Sequence, residues 1–192
     1  MNYVRGFAPW LCYALLSAFD WRLGLSAAAV ASLLLLVAQL RDRNVDLLGA
    51  ATTVFFIVMA VIAIVDPTSG LGRWITVLAN GTLAVTALAS LAVRRPFTLS
   101  ISRKQVPREL WHAPRFIHVN VVLTSIWAAA FVGGAVAAAL IIALDNAATV
   151  PLIAVQVLAF VIPLVASGRY AARAQAKASR VLAERAVAEP QV

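Results

Sequence analysis

Residues 47–65 read LLGAATTVFFIVMAVIAIV, a run of 19 positions without one charged side chain. A helix rises about 1.5 Å per residue and the hydrocarbon core of a bilayer is about 30 Å thick, so roughly 20 such residues cross it. The run does not alternate apolar and polar positions, which argues against a barrel strand. Four more charge-free windows of at least 18 residues flank it: Leu23 to Leu40, Trp74 to Val93, Val119 to Leu144 and Asn146 to Gly168. The pattern therefore predicts an all-α fold, a polytopic bundle of transmembrane helices.

Composition agrees. Of 192 residues, 62% are hydrophobic and 12% charged, against roughly half and a quarter in soluble domains. A soluble chain of this length needs polar surface to cover its core, and here there is too little, so lipid must cover the rest. Cys12 is the only cysteine, which excludes an intrachain disulfide and a thiolate metal cluster. Arg outnumbers Lys by 14 to 2 beside abundant Ala and Val, a composition that points to a GC-rich bacterial genome.

The segment 6–19 is shorter, with 14 uncharged residues and Pro9 near its start, where a helix tolerates proline. It is a short first helix, a re-entrant or interfacial segment, or the apolar core of a secretory signal; no small-x-small cleavage site precedes Asp20-Trp21-Arg22, which disfavours the last. Charge distribution favours a crossing. With six helices, 14 basic residues fall on one side, in Arg5, Arg41, Arg43, the loop 94–118 and the tail, and only Arg22 and Arg73 fall on the other. Because Lys and Arg in short loops stay inside, both termini then face the cytoplasm; with five helices only Arg5 and the N-terminus move out. The expected organisation is a transmembrane domain over 1–168 and a cytoplasmic basic tail over 169–192, carried by an amphipathic helix.

The connections have turn chemistry. Asp66-Pro67-Thr68-Ser69-Gly70 reads as a tight outer turn, and Asp145-Asn146 serves similarly. Trp10, Trp21, Trp74 and Trp111 lie near span ends, where an indole prefers the headgroup layer; Trp127 is the exception, inside a span.

Candidate chemistry is sparse. The five long windows carry no ionisable residue near a midplane, which weakens any proton-coupled pump. Thr82, Thr86 and Ser90 recur every four residues on one helical stripe beside Asn80, and Asn80 and Gln156 have the reach to hydrogen-bond across helices. This seam is interhelical packing or, as the alternative, the lining of a solute or lipid path. Gly133 and Gly134 favour close helix contact, and Pro163 a bend in the last span. The loop gathers Arg94, Arg95, Arg103, Lys104, Arg108, Trp111 and Arg115 with Phe97 and Phe116, a basic and aromatic mixture suited to anionic headgroups or a partner protein. His112 and His118 are too few for a metal site, and no paired acid and base converge, so neither an enzyme, a cofactor nor a metal is expected. In the tail, Arg169, Arg173, Lys177 and Arg180 share one helical face, with Glu184 four residues beyond Arg180.

The order of several short motifs resembles the intracellular septation protein A family, also described as YciB-like inner membrane-spanning proteins. The likeness runs from about Phe7 to Gly133: Phe7-Ala8-Pro9, the charged turn Arg41 to Asp46, Arg73-Trp74, Arg95-Pro96-Phe97, then Pro107, Trp111, Trp127, Phe131 and Gly133. The chain departs from the family where Trp111 and Trp127 stand 16 apart and where Thr124 replaces an asparagine, with Asn120 the nearest substitute. The resemblance implies a bacterial inner-membrane protein of division and envelope maintenance that contacts membrane-bound division or elongation proteins. The expected partners are these proteins, anionic lipid headgroups and further copies of the chain, and not nucleic acid.

Overall fold

The computed structural model describes residues 2–17, 19–43, 45–103, 106–144 and 149–188, without the side chains of residues 2–5, 7 and 177–188. In chain order the elements are α1 (Asn2–Leu16), α2 (Trp21–Arg41), α3 (Leu47–Val65), α4 (Leu71–Ala92), the short α5 (Thr98–Ser102), a 3₁₀ turn (Arg108–Leu110), α6 (Pro114–Leu144) and α7 (Thr149–Ala188). Among the described residues no strand occurs. Five helices, α2, α3, α4, α6 and α7, are long and apolar enough to cross a membrane.

Most helices outrun the charge-free windows. α4 begins at Leu71 and α6 at Pro114, because Arg73 and Arg115 end the hydrocarbon-compatible stretch without interrupting the backbone hydrogen bonds of the helix. The last window and the basic tail are one continuous helix, α7, with 40 residues and a length of about 60 Å at 1.5 Å per residue. Pro163 is buried within it. The turn Asp145-Asn146 and the Arg180 and Glu184 side chains lie outside the described residues.

Helix starts follow local chemistry. Asp20 caps α2, accepting from the backbone N–H of Arg22 at 2.6 Å and of Leu23 at 3.4 Å. Asp46 caps α3 through Gly49 at 2.6 Å, and its other oxygen accepts from Gln39 Nε2 at 2.6 Å while its own N–H donates to Gln39 Oε1 at 3.1 Å. A cap of this kind is worth about 1 kcal/mol. Here it also staples the end of α2 to the start of α3. The turn at Asp66 forms as its residues demand: the carboxylate accepts from the Thr68 N–H and hydroxyl, and the Asp66 carbonyl accepts from Ser69 N–H.

α1 lies along α2, antiparallel to it. Ser17 meets Gly24 at the turn, and Gly6 and Pro9 share a groove with Ser32, Leu36 and Gln39 towards the other end. The helix starts at Asn2, so Pro9 falls in its interior. Trp10 is not a headgroup anchor. It is 8% exposed and packs on Phe55, Phe56 and Phe160, with ring centroids 5.8, 4.7 and 5.9 Å away, which makes it a core ring joining α1 to α3 and α7. Trp127 is equally a core residue, against Phe131 and Phe160 at 5.5 and 6.2 Å. That accounts for its place inside a span.

α4 and α6 form the most extensive helix pair. Asn80, fully buried, donates to Thr76 O and to Gln156 Oε1 of α7, both at 2.9 Å. Its carbonyl oxygen lies against the backbone of Gly134, 2.8 Å from where a Cβ would stand. Gly133 does not share this role: it is exposed, with nothing within 4 Å of a Cβ, because a helix turns neighbours about 100° apart. On the outside the bundle shows Leu34, Val54, Val85, Leu140 and Ile153, each more than half exposed. Apolar surface of that extent is compatible with a lipid-facing exterior.

The two glycines give a paired test. Gly134→Ala is expected to drive α4, α6 and α7 apart and cost about 1–3 kcal/mol, as overpacking does. Gly133→Ala should be neutral or slightly stabilising, since alanine is the better helix former. Unfolding of both variants in mild detergent, followed by circular dichroism, measures the difference.

Candidate interaction site at the basic end of the bundle

The described basic residues divide between the two ends of the antiparallel bundle. Arg22 and Arg73 stand at one end, where Arg22 reaches the Pro67 carbonyl at 3.4 Å. Arg41, Arg43, Arg94, Arg95, Arg103, Arg108, Arg115, Arg169 and Arg173 stand towards the other. Lys104 lies outside the described residues.

The platform begins where α4 stops. Arg95 N–H donates to Ser90 O and Arg94 N–H to Leu91 O, both at 2.9 Å, and Arg94 takes φ of 56°. This is a Schellman C-cap with arginine in the left-handed position that glycine usually fills. Arg43, after α2, repeats the left-handed conformation with φ of 49°. In each case a long cation projects from a turn in place of a residue without a side chain. Arg94 and Arg95 are exposed, and Pro96 has no N–H with which to continue α4.

The following segment is folded under the bundle and is not a solvated arm. Phe97, Thr98 and Leu99 are buried. Ser90 Oγ donates to Ala87 O at 2.7 Å and accepts from Phe97 N–H at 3.2 Å. The Thr98 hydroxyl reaches Asn120 O and the Thr124 hydroxyl, each at 2.9 Å; Ser102 Oγ donates to Asn120 Oδ1 at 2.8 Å, and Asn120 Nδ2 donates to Phe116 O at 2.9 Å. Asn120 and Thr124 are 1% and 0% exposed. In a buried setting each such bond avoids an unsatisfied group that would cost about 1–3 kcal/mol, so the node holds α5 firmly on α6.

Beyond α5 the chain presents its cations on an aromatic base. Trp111 Nε1 donates to Val106 O at 3.0 Å, which fixes the indole. The guanidinium carbons of Arg103 and Arg108 lie 5.2 and 5.7 Å from its ring centroid, within cation–π range. Arg115 Nη2 donates to Ala174 O at 3.1 Å and so ties the start of α6 to the basic stretch of α7. The loop and the tail thus share one surface.

The other expected feature, the seam of Asn80, Thr82, Thr86 and Ser90, is brought together on α4, with Asn80, Thr86 and Ser90 buried. Most of its donors are turned to the protein: Thr86 Oγ1 donates to Thr82 O at 2.8 Å, Ser90 is engaged as described, and the Asn80 amide nitrogen reaches α7, while Asn80 Oδ1 is buried without a hydrogen-bond partner. Sequence reading did not bring Thr98, Ser102, Asn120 and Thr124 into one site. Its available signal was an asparagine and a threonine one turn apart inside an apolar window. Among the described residues no three metal-ligating side chains converge. Comparison with family models, with curated proteins and with solved structures finds no match to this chain.

Two substitutions should move the platform in opposite directions. Asn120→Leu removes the acceptor of the Ser102 hydroxyl and leaves the bonds of Thr98 to the Asn120 backbone carbonyl and to Thr124 in place, and limited proteolysis in detergent should cut residues 99–113 several-fold faster. Arg94→Gly relieves the left-handed strain and should raise stability by about 1 kcal/mol on thermal unfolding.

Proposed function

We propose that this chain is a multi-pass protein of a bacterial cytoplasmic membrane, with no enzymatic activity, that docks partners on a rigid basic surface at the cytoplasmic face. The observation that supports this reading is the segment after α4: residues 97–102, between Arg95 and Arg103, are hydrogen-bonded into the bundle, whereas charge needed only for membrane orientation requires no fixed geometry. α1 is counted as a sixth crossing. Its 15 residues rise about 22 Å, and a short helix of that kind is accommodated by local thinning or by packing within the bundle. Both termini and the loop then lie inside, following the distribution of Lys and Arg.

The resemblance to the septation family, drawn from residues 7–133, makes membrane-bound division or elongation proteins the proposed partners. Transport through the α4 seam is the weaker reading, because the Thr86 and Ser90 hydroxyls and the Asn80 amide nitrogen are committed to helix carbonyls and to Gln156.

Two measurements test the proposal. In a Cys12→Ser background, a membrane-impermeant maleimide applied to intact cells should label Thr68→Cys and leave Glu109→Cys unlabelled until the cells are permeabilised; the reverse result removes the orientation. Neutralising Arg94, Arg95, Arg103 and Lys104 together should lower crosslinking to membrane-bound division or elongation proteins by at least about tenfold, given about 1 kcal/mol per cation near a membrane surface, with insertion unchanged. Undiminished crosslinking rejects the docking role.

A further inference from the structure

The geometry points to a specific site for the phosphate of an anionic phospholipid between Arg103, Arg108 and Trp111, resting on the proposed orientation of the basic end towards the cytoplasmic leaflet. Three observations converge there. First, two guanidinium groups are held on one indole, at 5.2 and 5.7 Å, and the indole is itself anchored by its bond to Val106 O. Neither cation meets a carboxylate among the described residues, although Glu109 is adjacent in sequence. Two like charges brought to one ring repel, and with no carboxylate against them an anion from outside relieves that repulsion most directly.

Second, Arg103 Nε is buried and has no hydrogen-bond partner. Guanidinium donors seldom remain unpaired out of water, since each one costs more than an ordinary hydrogen bond returns. The side chain as a whole is half-buried, so part of the guanidinium stays accessible to an anion. Phosphate has the oxygen geometry that a guanidinium fork accepts through two parallel bonds.

Third, the surroundings suit an amphiphile better than a free ion. Leu110, on the same 3₁₀ turn as Arg108, is 50% exposed, and Val93 at the end of α4 is 64% exposed. Apolar side chains exposed on the same loop and at the helix end that leads into it suit the acyl part of a lipid, which a free ion lacks. Pre-ordering matters as much as charge. The hydrogen bonds of Ser102 and Thr98 fix the segment before any ligand arrives, which lowers the entropy lost on binding.

The site predicts that retention of an anionic lipid depends on Arg103 and Arg108 and not on the neighbouring arginine pair, a contrast that diffuse surface charge does not give. The full-length protein, reconstituted in phosphatidylcholine nanodiscs carrying a minor fraction of phosphatidylglycerol, is released into the gas phase and its retained lipid is counted by native mass spectrometry. Phosphatidylglycerol should be retained over phosphatidylcholine. Arg103→Gln and Arg108→Gln should each weaken retention about fivefold and together about 25-fold, while Arg94→Gln with Arg95→Gln should change it by less than about twofold. Trp111→Phe, which keeps a ring under the cations, should retain more lipid than Trp111→Ala.

Equal loss in the Arg94/Arg95 pair would reduce the site to general surface charge and overturn the inference, as would retention of phosphatidylcholine to the same degree. Displacement of the lipid by inorganic phosphate at constant ionic strength would show that the site takes the free ion, and would overturn it also. Partner crosslinking, measured on the same variants, separates the two levels. Crosslinking lost with lipid retention unchanged rejects this site and leaves the docking role standing, whereas lipid lost with crosslinking unchanged supports the site and shows that partner docking does not depend on it.

Discussion

The contact of Asn80 with Gly134 and Gln156 is the constraint from which the arrangement of α4, α6 and α7 follows. Between helices in lipid, apolar side chains gain little by leaving hydrocarbon for one another, so cohesion rests on close backbone approach and on polar groups that find partners. Asn80 supplies both. Its amide nitrogen joins α4 to α7, and its carbonyl is seated where Gly134 has no side chain. With α4 and α6 thus adjacent and antiparallel, the 21 residues between them must return at one end of the bundle.

That return is where packing acquires a functional consequence. A basic loop left free would act as diffuse charge, averaged over many conformations and screened by salt within about 10 Å. Ser90, Thr98, Ser102, Asn120 and Thr124 prevent this by exchanging hydrogen bonds across α4, α5 and α6. Arg103, next to this node, lies against Trp111 together with Arg108, and Arg115 reaches across to α7. The same charges carry more information when their separation is constant, because a partner can match them.

Substantial parts of this arrangement were legible beforehand. A charged residue in hydrocarbon costs several kcal/mol, so charge-free windows of 18 or more residues report crossing helices with little dependence on their neighbours. The turn at Asp66 and the partnership of Asn80 with Gln156 were legible for similar reasons: one is local chemistry, and the other is a polar group with few ways to be satisfied in an apolar span. Trp10, Gly133 and the tail were harder. An indole near a window's edge fits a headgroup layer or an aromatic core equally well, adjacent glycines look alike until one helix face is chosen, and a hydropathy window ends where charge begins even when the helix continues.

What the sequence determined by itself was the solvent of each segment and the clustering of its cations, because transfer free energies and loop charges are properties of individual residues summed along the chain. Which of two glycines receives Asn80, whether Trp10 faces lipid headgroups or Phe56, and how two arginines come to share Trp111 were decided only by tertiary structure. Those outcomes depend on which faces meet across helices far apart in sequence, and no local window contains both halves of such a contact.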